Sequence, residues 1–278
     1  MEPSRFRIGA CSWSLRPEHP EHLLELLEPL GLTRVQLALV PCMEAPAWRG
    51  AVGTLRARGL SIASGMLATV GEDYSTLESI ARTGGVRPDA TWPATRSRAA
   101  SVAALAGCES IGLVTFHAGF IPHEAGRERT MMVTRLREVA DLFQAAGVAV
   151  AFETGQESAA TLADALREID HPAIGVNFDP ANMILYGMGD PVDAVRTLGP
   201  WIRQVHIKDA LPAPRTGAWG QEVQVGTGAV PWLPFIGALR DLSRPLDLVI
   251  EREAGAARSG DVRVAMDRLR SWCGADLE

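Results

Sequence analysis

The chain of 278 residues is 47% apolar and 22% charged, a balance that supports a large buried core and excludes a disordered chain. Its formal net charge of −6 gives no electrostatic reason to expect a nucleic-acid partner, because phosphate backbones recruit clustered Lys and Arg. No apolar run is long enough to cross a membrane, no basic-then-apolar leader opens MEPSRFRIGACSW, and Cys11, Cys42, Cys108 and Cys273 lack paired spacing; a cytoplasmic protein with reduced thiols and no membrane partner is expected.

Eight strand-like apolar runs follow one another along the chain: Phe6–Cys11, Arg34–Leu39, Ser61–Leu67, Ser110–His117, Val148–Glu153, Ala173–Asp179, Trp201–Lys208 and Leu246–Arg252. Helical patterns separate the later ones, over Arg127–Ala146, Ser158–Ile169, Pro191–Leu198 and Trp232–Leu242, and Asp261–Trp272 closes the series. Pro191 fits a first helical turn and Gly147 sits just past a helix end. Strand-then-helix alternation without a Gly/Ser/Pro-rich linker predicts a single (β/α)8 barrel domain over residues 1–278. A doubly wound sheet is the competing architecture, but no G-x-G-x-x-G turn follows the first strand. Two long connections, Ala68–Ala94 after the third strand and Ala210–Val230 after the seventh, fall where barrel enzymes build their sites.

The polar residues within these runs carry the chemistry. Glu153, Asp179, His206 and Glu251 each lie at or near the C-terminal end of an apolar strand, at successive separations of 26, 27 and 45 residues. A single acid at a strand end is ordinarily an ion pair or a cap. Four on consecutive strands, where desolvation is costly, call for a shared partner. Three carboxylates and one imidazole favour one divalent ion, Mn²⁺ or Mg²⁺, with Co²⁺ or Zn²⁺ as alternatives.

FETG, NFDPAN, QVHIKD, the VGTG turn and IEREAG together resemble the xylose isomerase-like sugar phosphate isomerase/epimerase superfamily, from CSWSL on the first strand to IERE on the eighth. That superfamily includes ketose 3-epimerases, hydroxypyruvate isomerase, inosose dehydratase and endonuclease IV. The resemblance implies a (β/α)8 barrel whose metal set falls on Glu153, Asp179, His206 and Glu251, with Glu153 and Glu251 also serving as acid/base groups. It implies a sugar or polyol substrate isomerised or epimerised through an enediolate. An alternative is a lyase or dehydratase acting on a keto-sugar or inosose through the same metal-stabilised enolate; an endonuclease IV-like repair enzyme and a non-catalytic sugar binder rank lower. Ketose 3-epimerases place His three residues beyond the metal-binding Asp, where this chain has Asn182, which can hydrogen-bond a hydroxyl but cannot take a proton. Substrate contacts are expected from His117, Asn182, Lys208, Trp13 and Glu222, with Glu72, Asp73, Tyr74 and Trp219 on the long loops above the mouth. Trp13 can stack on a sugar ring, Lys208 can polarise a carbonyl, meet an anion, or pair with Asp209 or another acid, and the VGTG turn can offer N–H groups to a phosphate. Homo-oligomerisation is left open.

Overall fold

A computed structural model describes residues 5–215 and 217–278. Among them, eight parallel strands close a barrel: β1 (Phe6–Cys11), β2 (Arg34–Ala38), β3 (Ser61–Met66), β4 (Leu113–Phe116), β5 (Ala149–Glu153), β6 (Ile174–Phe178), β7 (Ile202–Ile207) and β10 (Leu246–Ile250). The ring runs in chain order and is sealed where β1 pairs with β10, Phe6 to Ala10 against Leu246 to Ile250. A two-stranded antiparallel ribbon, β8 (Asp209–Leu211) and β9 (Gln221–Val223), stands on the rim. All eight expected strands are present, and the chain is a (β/α)8 barrel.

The strands sort their side chains with period two. Val35, Leu37, Val114, Phe116, Val150, Phe152, Val176, Phe178, Val205, Ile207, Leu248 and Ile250 are all fully or nearly fully buried. They form the outward layer against the helices. The alternate positions hold Gln36, Ser64, Thr115, Asn177 and Gln204, each wholly buried and hydrogen-bonded to one another across the barrel axis. Branched apolar residues usually fill a barrel interior; here the middle layer is polar.

Several helices exceed the expectation. Trp92–Cys108 is a 17-residue helix whose inner face is mostly Ala99, Ala103 and Ala106, so its apolar stripe is faint in the sequence. The presumed loop 68–94 contains the helix Leu77–Thr83, started by reciprocal bonds between Thr76 and Ser79 rather than by the more common Glu or Gln. The presumed loop 210–230 carries the β8–β9 ribbon. A seven-residue helix, Pro180–Tyr186, begins immediately after Asp179. Among the described residues, no helix is long and apolar enough to cross a membrane.

Candidate metal centre and active site

The C-terminal ends of β5, β6, β7 and β10 bring four side chains to one point. Register sets this up: Glu153 pairs with Asn177, and Val249 with His206, so inward-facing groups on adjacent strands reach similar heights. One ligand atom from each of Glu153, Asp179, His206 and Glu251 lies within 4.8 Å of the others. His206 Nδ1 stands 3.5 Å from Glu153 Oε1, 3.8 Å from Asp179 Oδ2 and 3.4 Å from Glu251 Oε2. None of the four residues is more than 5% exposed.

Local structure aims each group. Asp179 caps the helix Pro180–Tyr186: its Oδ1 accepts from the N–H of Ala181 at 2.8 Å and of Asn182 at 3.0 Å. Thr154 clamps the Asp179 backbone, its Oγ1 accepting the Asp179 N–H at 2.8 Å and donating to the Asp179 carbonyl at 3.0 Å. Among the described residues, that leaves Asp179 Oδ2 buried without a hydrogen-bond partner, and His206 Nδ1 is likewise unpartnered. Two orphaned buried polar atoms at the ends of neighbouring strands are costly. Both point into the cluster, and with two flanking carboxylates the donor set fits a hard divalent cation.

The three carboxylates differ in surroundings. Burial pushes the Glu251 carboxyl up, but Lys208 and His206 outweigh it and hold it well below the ordinary range. Lys208 Nζ donates to Glu251 Oε2 at 2.8 Å and to Glu253 Oε2 at 2.8 Å, and Trp13 Nε1 donates to Glu251 Oε1 at 2.8 Å. Burial also raises Glu153, and His117 and His206 turn the net shift downward; its Oε1 accepts from Asn182 Nδ2 at 2.9 Å. For Asp179 burial prevails and its carboxyl is raised, because Lys208 is 3.8 Å away rather than 2.8 Å. Burial disfavours charge on Lys208 and on His206, but the surrounding carboxylates, Glu251 foremost, raise both well above their usual values.

Above the cluster opens a cavity of about 460 Å³, within the size range of small-molecule sites. Trp13, His117, Asn182, Lys208 and Glu222 all line it, together with Glu153 and Glu251, while Asp179 and His206 lie beneath in the floor. Glu72, Tyr74 and Trp219 from the two long connections also reach it. The details differ from simple ligand contacts. Trp13 directs its indole N–H at Glu251 and its ring edge toward His206, at 6.3 Å between centroids. His117 Nε2 is 3.7 Å from Glu153 Oε1. Glu222 is occupied by Arg252 at 2.8 Å and by the N–H groups of Glu253 and Ala254.

One reading of the seventh loop is corrected and one is made specific. The acids that Lys208 pairs with are Glu251 and Glu253 rather than its neighbour Asp209. Asp209 instead turns into the VGTG turn and accepts from the N–H of Gly226 at 2.8 Å, Gly228 at 3.0 Å and Val230 at 3.2 Å, and from Trp232 Nε1 at 2.9 Å. Those N–H groups are therefore taken up by a carboxylate and are not offered to a phosphate. A Cβ on Gly228 would stand 2.1 Å from Asp209 Oδ1, which accounts for the glycine. Gly155, with φ +126°, similarly lets the chain after β5 approach Asn182: a Cβ there would meet Asn182 Cβ at 2.4 Å.

Sequence reasoning missed Glu253, Tyr186 and Gln36. Glu253 lies two residues past Glu251, and Tyr186 one helical turn beyond Asn182, so period-two and i,i+4 spacing carried their signal. Both line the cavity, and Tyr186 packs edge-on against Trp219 at 5.1 Å. Gln36 carried a weaker one, a carboxamide inside an apolar strand.

Residues 44–272 match the family described as xylose isomerase-like TIM barrel. The xylose isomerase domain protein from Planctomyces limnophilus is 29% identical, with a TM-score of 0.85 and 98% of each chain covered. D-psicose 3-epimerase from Clostridium cellulolyticum H10, solved with D-tagatose, shares the fold at a TM-score of 0.69 and 14% identity, over 96% of this chain and 99% of that one. Among curated proteins, the uncharacterized protein YihM of Escherichia coli (strain K12) is 30% identical over 118 residues, a match covering 41% of this chain and 36% of that relative's length.

Proposed function

Because the chain belongs to the xylose isomerase-like TIM barrel family, we propose that it is a divalent-metal-dependent sugar isomerase or epimerase that moves a proton at a carbon next to a carbonyl. The observation that carries this reading is the convergence of Glu153, Asp179, His206 and Glu251 on one point, with Asp179 Oδ2 and His206 Nδ1 buried and unpartnered. These four residues would hold Mn²⁺ or Mg²⁺. A divalent ion there supplies Lewis-acid stabilisation of the negative charge that develops on the substrate's oxygens as the proton leaves carbon.

The protein's own groups divide the remaining work. Asp179 and His206, in the floor, anchor. Glu153 and Glu251 line the cavity from β5 and β10, on either side of the β6–β7 pair, and act as the acid/base groups. One removes the carbon-bound proton, giving an enediolate. The other returns a proton to the opposite face of the same carbon, an epimerisation, or to the neighbouring carbon, an isomerisation. Lys208, 2.8 Å from Glu251, fixes that carboxylate in place and keeps it ionised, ready to accept a proton. Asn182, His117 and Trp13 line the same cavity and would contact or orient a neutral polyol.

A second reading draws on Lys208. This cation lines the cavity beside Glu251, where it can protonate an oxygen departing from the carbon β to the carbonyl, making the protein a lyase or dehydratase for a keto-sugar or inosose. One experiment separates the readings: incubation of the Mn²⁺-supplemented protein in buffered D₂O with ketoses, inososes and 3-keto-glucosides, followed by mass spectrometry and NMR. Deuterium uptake with the carbon skeleton and substituents intact supports isomerisation, and loss of water or an aglycone supports elimination. Glu153→Gln and Glu251→Gln should each reduce exchange at least about 10²-fold, the typical contribution of a positioned acid or base. Wild-type protein that binds a sugar but neither exchanges a proton nor releases water or an aglycone would overturn both readings in favour of a binder.

A further inference from the structure

His206 turns only Nδ1 to the cluster, so what holds its other ring nitrogen decides whether the neutral ring presents a lone pair or a proton at Nδ1. Nε2 faces the polar middle layer of the barrel. Gln36 Oε1 lies 2.7 Å away, Asn177 Nδ2 3.0 Å and Cys11 Sγ 3.7 Å. The first and second contacts make opposite demands: an oxygen there requires a proton on Nε2, whereas an amide N–H requires a bare Nε2 and leaves the proton on Nδ1.

The hydrogen-bond polarity of the layer resolves the conflict. The carbonyl of Gly65 can only accept, and it faces one terminal atom of the Gln36 amide at 3.5 Å; that atom is therefore Nε2, which also donates to Thr115 Oγ1 at 2.7 Å. The other atom, turned to His206, is then oxygen. The same oxygen accepts from Gln204 Nε2 at 3.0 Å, whose own Oε1 accepts from Ser64 Oγ at 2.6 Å. Gln204 Nε2 also meets Asn177 Oδ1 at 3.1 Å, which turns Asn177 Nδ2 toward Glu153 Oε2 at 3.3 Å. The Asn177 amide is thus oriented by an acceptor carboxylate and a donor amide. Its 3.0 Å approach to His206 is a close contact between two N–H groups.

We propose that Gln36 is a positioning residue: it accepts the Nε2–H of His206 and thereby reserves Nδ1 as the ligand atom of the four-residue cluster, with its polarity set by the Gly65 carbonyl. This rests on the metal reading for its consequence but not for the tautomer itself. A buried carboxamide in a barrel core is costly unless every polar atom is paired. Gln36, fully buried, has both of its terminal atoms paired. Groups that orient a metal-bound histidine through its second nitrogen typically change metal affinity 10- to 100-fold.

The test has two arms. In the first, [¹⁵N]His-labelled, metal-free protein is observed by ¹H–¹⁵N NMR, with His206 assigned by comparison with His206→Asn. A directly bonded proton on His206 Nε2 is expected, both in the neutral ring and in the imidazolium that the neighbouring carboxylates favour, with its resonance shifted in Gln36→Leu. A bare Nε2 with the proton on Nδ1 alone would overturn the proposal. In the second, Mn²⁺ affinity is measured by electron paramagnetic resonance of the free ion. Gln36→Leu should weaken binding about 10- to 100-fold, while Gln36→Glu, which keeps an acceptor oxygen against Nε2–H, should bind at least as well as wild type. Affinity within about threefold of wild type in Gln36→Leu, against that expectation, sinks the proposal. Should wild-type protein take up no divalent ion while Nε2 still carries its proton, the metal reading fails and the tautomer assignment stands. The wild-type spectrum needs no variant, so a Gln36→Leu protein that does not fold leaves the proposal open to refutation.

Discussion

Asp179→Asn should separate folding from the proposed metal binding, because the two oxygens of Asp179 stand in different surroundings. Oδ1 caps the helix Pro180–Tyr186, and Asn caps about as well as Asp; Oδ2 is buried and without a hydrogen-bond partner. In the metal-free protein the ionised carboxylate is a liability, since burial outweighs Lys208 and raises the carboxyl above its ordinary value. The sign follows from linkage: an acid with a raised folded pKa loses stability as pH rises from its unfolded value through its folded one. Asp179→Asn removes that loss. A gain of about 1 kcal/mol is expected at neutral pH, the low end for a buried unsatisfied group, because the variant gives up its Lys208 attraction at 3.8 Å. With about 2.1 cal/mol/K of unfolding entropy per residue, this raises the metal-free Tm by about 2 °C.

The metal response should move the other way. A ligand at 100 times its Kd adds about 2.7 kcal/mol of stability, which over a chain of 278 residues is a shift of about 4–5 °C. Wild-type protein treated with chelator and then titrated with Mn²⁺ should show it by scanning fluorimetry, and Asp179→Asn should show almost none. A variant that melts several degrees below metal-free wild type, or that keeps the full Mn²⁺ shift, would refute the division of duties between the two oxygens.

Trp13→Phe keeps most of the wall but removes the N–H donor from Glu251 Oε1. In proton exchange with the best sugar, kcat should fall about tenfold, the worth of one hydrogen bond to a charged group, with KM nearly unchanged; a raised KM at constant kcat would mean that the ring serves to bind substrate instead. Glu157, in the segment following β5, has a buried Oε2 without a partner among the described residues, and burial pushes its carboxyl from 4.5 up to about 8. Stability should therefore fall as pH rises from 4.5 to 8, and Glu157→Gln should gain about 2–4 kcal/mol over wild type at pH 9 but little at pH 4.5, read from denaturant midpoints. An equal difference at both pH values would assign the effect to packing.

Much of this site was legible in the sequence because a parallel barrel writes its geometry in one dimension. Each inward strand end is one βα unit from the next, so VAVAFE, IGVNFD, QVHIKD and LVIERE placed Glu153, Asp179, His206 and Glu251 on consecutive strands. The helices at 92–108 and 77–83 were obscured because alanine faces and a Thr–Ser cap leave little periodic contrast. Asn182 and Glu222 were legible as polar groups near the mouth, but not their partners.

The sequence by itself determined the strand count, the four polar residues that converge at the strand ends and the long loops, since each depends on local pattern and spacing. Only the tertiary structure decided that Lys208 pairs with Glu251 and Glu253, that Asp209 occupies the VGTG amides, and that Gln36 meets His206. Those contacts join residues 17 to 170 positions apart. They depend on strand register, rotamer and hydrogen-bond polarity across the barrel axis, and no local pattern along the chain records which donor will face which acceptor.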